Sequence, residues 1–208
     1  VHLILLCLYF FFSVHLFLNG QTMPYRQYNV ADGLASSFVT GIVQCRKGFL
    51  WVGTQQGVSR FDGIRFENTY AGKQFPSDFI EDIMVDRDNR IWFCTHKGVV
   101  VYDKRREKNE QWTVYNQGDG LASDLVRVVE KTPDGYTWFG TISGLSRYDG
   151  KRFENFKLDD NWTGNLINDM VFNKGDFWIA AAGGLNRWTG GGFQRFGAEH
   201  GLNNQPVN

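Results

Sequence analysis

The side chains able to do chemistry in this sequence are few and scattered. Beyond the apolar N-terminus the histidines are His96 and His200, too far apart to read as a metal-ligand pair. Cys45 and Cys94 form no Cys-x-x-Cys spacing, and no Gly-x-Ser-x-Gly elbow or phosphate-cradling glycine loop occurs. Carboxylates are the one class plentiful enough for hydrolysis. Yet Asp62, Asp119, Asp134 and Asp149 each precede a glycine, the context in which a short acidic side chain accepts backbone N–H groups and closes a turn. Asp86, Asp88 and Asn89 in "DRDNR" offer calcium-type oxygens, but the distal bidentate glutamate of a helix–loop–helix calcium site is missing. That segment reads as a turn. No cofactor, metal or catalytic residue is assigned.

Composition narrows the class. The 208 residues are 42% hydrophobic and 16% aromatic, enough for a buried core. Lys plus Arg balance Asp plus Glu at 22 each, which argues against nucleic acid as a partner. Glycine outnumbers proline 24 to 4, the usage of many short strands joined by tight turns.

The elements that would position any site repeat. "GFLWVGTQQGVSRFDG", "NRIWFCTHKGVVVYDK", "GYTWFGTISGLSRYDG" and "GDFWIAAAGGLNRWTG" align with Trp51, Trp92, Trp138 and Trp178 in register. Upstream, Ser36–Val39 equates with Ser77–Ile80, Ser123–Val126 and Gly164–Ile167, and a fifth copy opens at Asn204–Val207. A period near 40 residues with room for four strands per copy predicts an all-β propeller of four-stranded antiparallel blades, present here as part of a ring. Asp62-Gly63 and Asp149-Gly150 are expected at two-residue hairpin turns. The small residue two places after each tryptophan, Gly53, Cys94, Gly140 or Ala180, predicts close approach by a neighbour. All seven tryptophans are expected in the core, with Trp162 in a loop, and Cys45 and Cys94 as free, packed thiols.

The stretch "DGLASSFVTGIVQCRKGFLWVGTQQGVSRFDGIRFENTY" and its copies resemble the repeat of the two-component regulator propeller family. The second copy departs from it at Val101–Lys104 and in the insert "KRREKNEQ", and the fourth has Thr189 in place of aspartate. The resemblance implies an extracytoplasmic sensor of a hybrid or simple two-component system, with an oligosaccharide as the ligand. It also implies that the remaining blades and a membrane-bound kinase part are supplied elsewhere in the full-length protein. Two other classes stay open: a propeller hydrolase or lyase acting on glycans, and a protein-interaction scaffold.

The blades are expected at about 31–70, 71–115, 116–156 and 157–196, with a fifth beginning at 197. Residues 25–30 are expected as an outer closing strand, because Tyr28 aligns with Tyr70, Tyr115, Phe156 and Phe196. An incomplete ring predicts self-association through its terminal blades. Residues 1–20, rich in Leu and Phe and free of formal charge, read as a signal peptide leaving a periplasmic N-terminus near Gln21, with a retained anchor as the alternative. Scaffold positions repeat and ligand positions vary. The pairs that vary between the second and third strands are Gln55-Gln56, His96-Lys97, Ile142-Ser143 and Ala182-Gly183, and the first three are the candidate ligand contacts.

Overall fold

A computed structural model describes residues 25–72, 75–160, 162–197 and 200–202. The expected signal peptide, the Gln21 N-terminus, the Trp162 side chain and the Asn204–Val207 opening of a fifth copy lie outside the described residues. Sixteen strands form four antiparallel sheets of four, each in simple meander order. Blade 1 holds β1 (Val39–Gln44), β2 (Leu50–Thr54), β3 (Gly57–Phe61) and β4 (Phe66–Thr69). Blade 2 holds β5 (Ile80–Val85), β6 (Ile91–Thr95), β7 (Gly98–Tyr102) and β8 (Trp112–Tyr115). Blade 3 holds β9 (Val126–Lys131), β10 (Thr137–Thr141), β11 (Gly144–Tyr148) and β12 (Phe153–Phe156). Blade 4 holds β13 (Ile167–Asn173), β14 (Asp176–Ala181), β15 (Gly184–Trp188) and β16 (Phe193–Phe196). The first strands β1, β5, β9 and β13 pack against one another in sequence, which makes them the inner strands of an open arc of propeller blades. The tryptophans therefore sit on the second strand from the axis rather than the innermost one.

Three of those tryptophans carry the contacts between blades. Trp51 lies 5.8 Å from Phe93 and 5.1 Å from Tyr102, Trp92 lies 5.6 Å from Phe139, and Trp138 lies 5.1 Å from Phe177 and 5.3 Å from Trp188. All three are buried, and truncating such a ring costs about 3–5 kcal/mol. Trp178 is only half-buried, since no described blade follows its sheet, and Trp112 and Trp188 are also half-buried. Burial of the whole set is thus partial, complete only where two blades face each other. Cys45 and Cys94 are free and buried, in different blades.

The small residue after each tryptophan has the expected cause. A Cβ on Gly53 would stand 2.8 Å from Ile80 Cγ2, and one on Gly140 would stand 2.5 Å from Ile167 Cγ2. Both isoleucines open the inner strand of the next blade, so the glycine admits a branched side chain across the interface. The Asp-Gly turns differ from the expectation. Asp62–Arg65 and Asp149–Arg152 are four-residue loops, in which Asp62 Oδ1 accepts from Ile64 N and Arg65 N at 2.8 Å each, and Asp149 Oδ1 repeats the pattern on Lys151 and Arg152. Asp62 N and Asp149 N also donate to the Arg65 and Arg152 carbonyls at 3.3 Å, so backbone and carboxylate close each loop together.

The segments leading into blades 1 and 3 are fastened to the sheet they are about to enter. Ahead of blade 1, Ala35 N donates to Ser59 Oγ, Ser59 Oγ donates to Asn68 Oδ1, and Asn68 Nδ2 donates to the Gly33 carbonyl. Ahead of blade 3, Ala122, Ser146, Asn155 and Gly120 repeat this chain of bonds. Blade 2 has Val100 opposite Val114 at the same register. Residues 25–29 form no strand. Tyr28 nevertheless packs on Phe61 at 5.1 Å and Phe66 at 5.6 Å, as Tyr115 packs on Tyr148 and Phe153 at 5.4 and 5.5 Å. The ring position is filled while no described strand lies alongside to complete a ladder.

Candidate functional site

Alternating strand directions sort the connections onto two faces. Crossovers and the β2–β3, β6–β7, β10–β11 and β14–β15 hairpins share one face, and the remaining turns share the other. The sequence-derived pairs all fall on the first face as the two central residues of two-residue hairpins. Each of the first three hairpins is closed by a threonine: Thr54, Thr95 and Thr141 Oγ1 donate at 2.8 Å to the carbonyls of Gly57, Gly98 and Gly144, and accept from Gln56, Lys97 and Ser143 N. These glycines hold φ of 107–117°, a left-handed conformation that favours a residue without Cβ. A Cβ on Gly98 would also strike the Tyr115 carbonyl. The scaffold thus consumes backbone groups and leaves the tip side chains free to differ.

Gln55, Gln56, Lys97 and Ser143 are exposed, and His96 and Ile142 are half-buried. The His96 tip reaches a partner on the inner strand: its Nε2 meets Glu81 Oε1 at 2.7 Å, and its ring stacks on Phe79 at 4.2 Å. Glu81 sits in a bulge. Each described inner strand shifts register at its second residue, so that the register steps over Thr40, Glu81, Arg127 and Asn168, and a bulge of this kind re-aims one side chain. Arg127 Nη1 donates to Asn168 Oδ1 at 2.6 Å, linking blades 3 and 4. Four different polar residue types at one register, beside the hairpin tips, extend the candidate site toward the axis. Sequence reasoning missed them, although the column Thr, Glu, Arg, Asn was visible beside Val39, Ile80, Val126 and Ile167.

Nearer the axis a cavity of about 510 Å³ is lined by inner-strand residues including Asp82, Glu130 and Asp169. Partial burial raises the pKa of Asp82 and of Glu130 from the ordinary value of each, against the backbone hydrogen bonds they accept. Asp82 Oδ2 accepts from Val129 N at 2.9 Å, and Glu130 Oε1 accepts from Phe172 N at 3.2 Å. Each carboxylate therefore satisfies an N–H on the inner edge of the following blade. Among the described residues no group of three or more His, Cys, Asp or Glu is placed to hold a metal ion.

A family model described as two component regulator propeller matches residues 74–97, from the end of a crossover through β5 and β6 to the His96-Lys97 tip. Residues 74–97 are similar to a two-component regulator propeller repeat. The match falls in the second copy, upstream of the point where that copy departs from the others. The chain is also 35% identical over 60 residues to Histidine kinase P4 of Formosa agariphila, covering 29% of this chain and 4% of that protein. Its fold is similar to the extracellular domain of the protein assigned as hybrid two component system BT3049 of B. thetaiotaomicron, with a TM-score of 0.71 and 20% identity over 84% of this chain and 27% of that one. The corresponding domain of BT4673 gives a TM-score of 0.68 and 16% identity, over 86% of this chain and 28% of that one. The chain thus spans less than a third of each of these relatives. Among the described residues no helix is long and apolar enough to cross a membrane.

Proposed function

We propose that this chain is part of the extracytoplasmic sensor of a two-component system, binding an oligosaccharide on its hairpin face and passing a conformational bias to a membrane-bound kinase. The observation that carries the reading is the regulator propeller repeat at 74–97, whose end is the tip where His96 meets Glu81. Constant hairpin geometry with variable tips is the arrangement of a recognition surface built on a fixed scaffold. The part played here is binding rather than turnover, since the half-buried carboxylates Asp82 and Glu130 are engaged with backbone N–H groups.

Isothermal titration of the whole chain with xylo-, malto- and galacto-oligosaccharides tests this. One series should bind, and H96A combined with Q55A and Q56A should weaken it. Cleavage of the bound sugar would replace the sensor by a glycan-acting enzyme. Protease treatment of intact cells expressing the chain should digest it, as expected of an exported domain.

A further inference from the structure

On the face away from the hairpins, blades 1 and 2 leave a cavity of about 270 Å³ between them, just below the usual range for drug-sized ligands and enough for a single-ring compound. It follows from what stands beneath the tryptophans. Between blades 2 and 3 the place is filled by an ion pair: Asp86 Oδ2 accepts from Trp92 Nε1 at 2.9 Å and from Arg90 Nε at 2.7 Å, and Arg90 Cζ lies 5.2 Å from the Trp92 ring centroid. The same positions ahead of Trp51 hold Cys45 and Phe49. A thiol and a phenyl ring make no such pair, and the space stays open. Its walls face one another. Trp51 is the register partner of Arg60 and Ile91 that of Tyr102, and such partners share one face of a sheet. The Trp51 and Tyr102 rings meet across the interface at 5.1 Å, and Cys45, Trp51 and Ile91 form one buried apolar cluster with Phe49 and Tyr102 packed on it.

The mouth is cationic. Lys47, Arg60, Lys104 and Arg105 line the cavity against two carboxylates, Asp88 and Asp103. Arg105 holds Asp103 through its backbone N at 3.0 Å, Nε at 2.9 Å and Nη2 at 2.8 Å, and Asp88 lies 3.6 Å from Arg90 and 3.9 Å from Arg105. Arg60 pairs with Glu67 and stands 4.8 Å over the Phe49 ring, while Asn89 Oδ1 accepts from Arg46 N at 2.7 Å. Lys47 and Lys104 have no ion-pair partner among the described residues; Lys104 Nζ lies 5.9 Å from the centroid of the Phe49 ring. The side-chain acceptors at the mouth are thus engaged, and two ammonium groups are not. Lys104 and Arg105 open the insert "KRREKNEQ" by which the second copy departs from the others. The register counterparts of Lys47 and Lys104 between blades 3 and 4 are Asp134 and Gly190, so this mouth is not a general feature of the repeat.

We propose that the cavity between blades 1 and 2 binds a single-ring aromatic carboxylate, its ring among Trp51, Ile91 and Tyr102 and its carboxylate accepting from the Lys47 and Lys104 ammonium groups. A sugar suits it less, because hydroxyl protons meet acceptors that are already taken. The site lies on the face opposite the hairpin tips and does not rest on the sensor reading.

Isothermal titration of the whole chain with benzoate and phenylacetate, each beside its neutral amide, tests the site. The acids should bind more tightly than benzamide and phenylacetamide, by a margin that shrinks as salt is raised. Lys47 and Lys104 are exposed, so K47A and K104A should fold; each should weaken the acids roughly 1.5- to 5-fold, the range of an exposed charge pair, and leave the amides unchanged. C45L, which adds bulk at the cavity wall, should weaken acids and amides alike, and should it not fold, the lysine variants carry the test. Equal affinity for acid and amide, acid binding unchanged in the K47A/K104A double variant, or no saturable binding of either acid overturns the site. Glucuronate binding as tightly as benzoate overturns the aromatic class.

Discussion

Replacing Asp86 by threonine gives blade 2 the residue that blade 3 has at the same register, and its effect can be worked from the contacts. Asp86 takes the Trp92 indole, the Arg90 guanidinium at 2.7 Å and two backbone N–H groups, of Asp88 at 2.9 Å and Arg90 at 3.0 Å, with Lys131 Nζ at 4.0 Å. Its side chain is fully buried, while Arg90 keeps partial exposure and a second carboxylate, Asp88, at 3.6 Å. Breaking a buried pair by removing one partner costs about 3–5 kcal/mol, and the relief available to Arg90 places D86T near the lower end, about 3 kcal/mol. For a chain of this size that is roughly a 6–12 °C loss in Tm. Burial pushes the Asp86 pKa up, but the bonds from Trp92 and Arg90 outweigh it and hold the group below the ordinary carboxylate value. A depressed folded pKa gives stability that is fully present above the unfolded value and is lost as pH falls through the folded one. The gap between wild type and D86T should therefore be full at pH 7 and narrow in acid. Urea unfolding followed by tryptophan fluorescence across that range reads both. A D86T midpoint within error of wild type at pH 7, or a gap unchanged in acid, would refute the assignment.

Two further outcomes follow from packing. Gly140→Ala should cost about 1–3 kcal/mol through overpacking against Ile167 and Val128, whereas Gly63→Ala, at φ 100° with nothing within 4 Å, carries backbone strain alone; paired denaturation curves separate the two causes. Cys94 is buried and its thiol pKa is raised by that burial and by the neighbouring Asp82 and Glu81 carboxylates, so it should resist a thiol-reactive dye at neutral pH until the chain unfolds.

The fold was legible because its signals are local and recur. Tryptophan register and the small residue two places on are short patterns, each repeated, and both appear on the same strand of every blade. What escaped depends on reach between elements. The "DRDNR" segment reads correctly as a turn, yet nothing local says that Asp86 extends to Trp92 while Thr132 turns aside to Asp134. The length of the Asp62 loop was misjudged because Asp-Gly fits both a two-residue and a four-residue connection, and the neighbouring strand pairing decides between them. Residues 25–30 show the same limit in reverse: Tyr28 keeps its ring contact, but a strand needs a second strand, and the sequence of one cannot supply the other.

The bonds that fasten the segments ahead of blades 1 and 3 to their sheets also bear on how such a chain can be duplicated or shuffled. Copying blade 3 from Val126 to Phe156 would carry Ser146 and Asn155 away from Gly120 and Ala122, the groups they hold. A segment from Asn116 to Phe156 carries both halves of the lock. The heritable module is therefore offset from the visible sheet, beginning in the loop that precedes it. Blade 2, with Val100 facing Val114, makes no such demand on its crossover and is the better acceptor for a foreign junction.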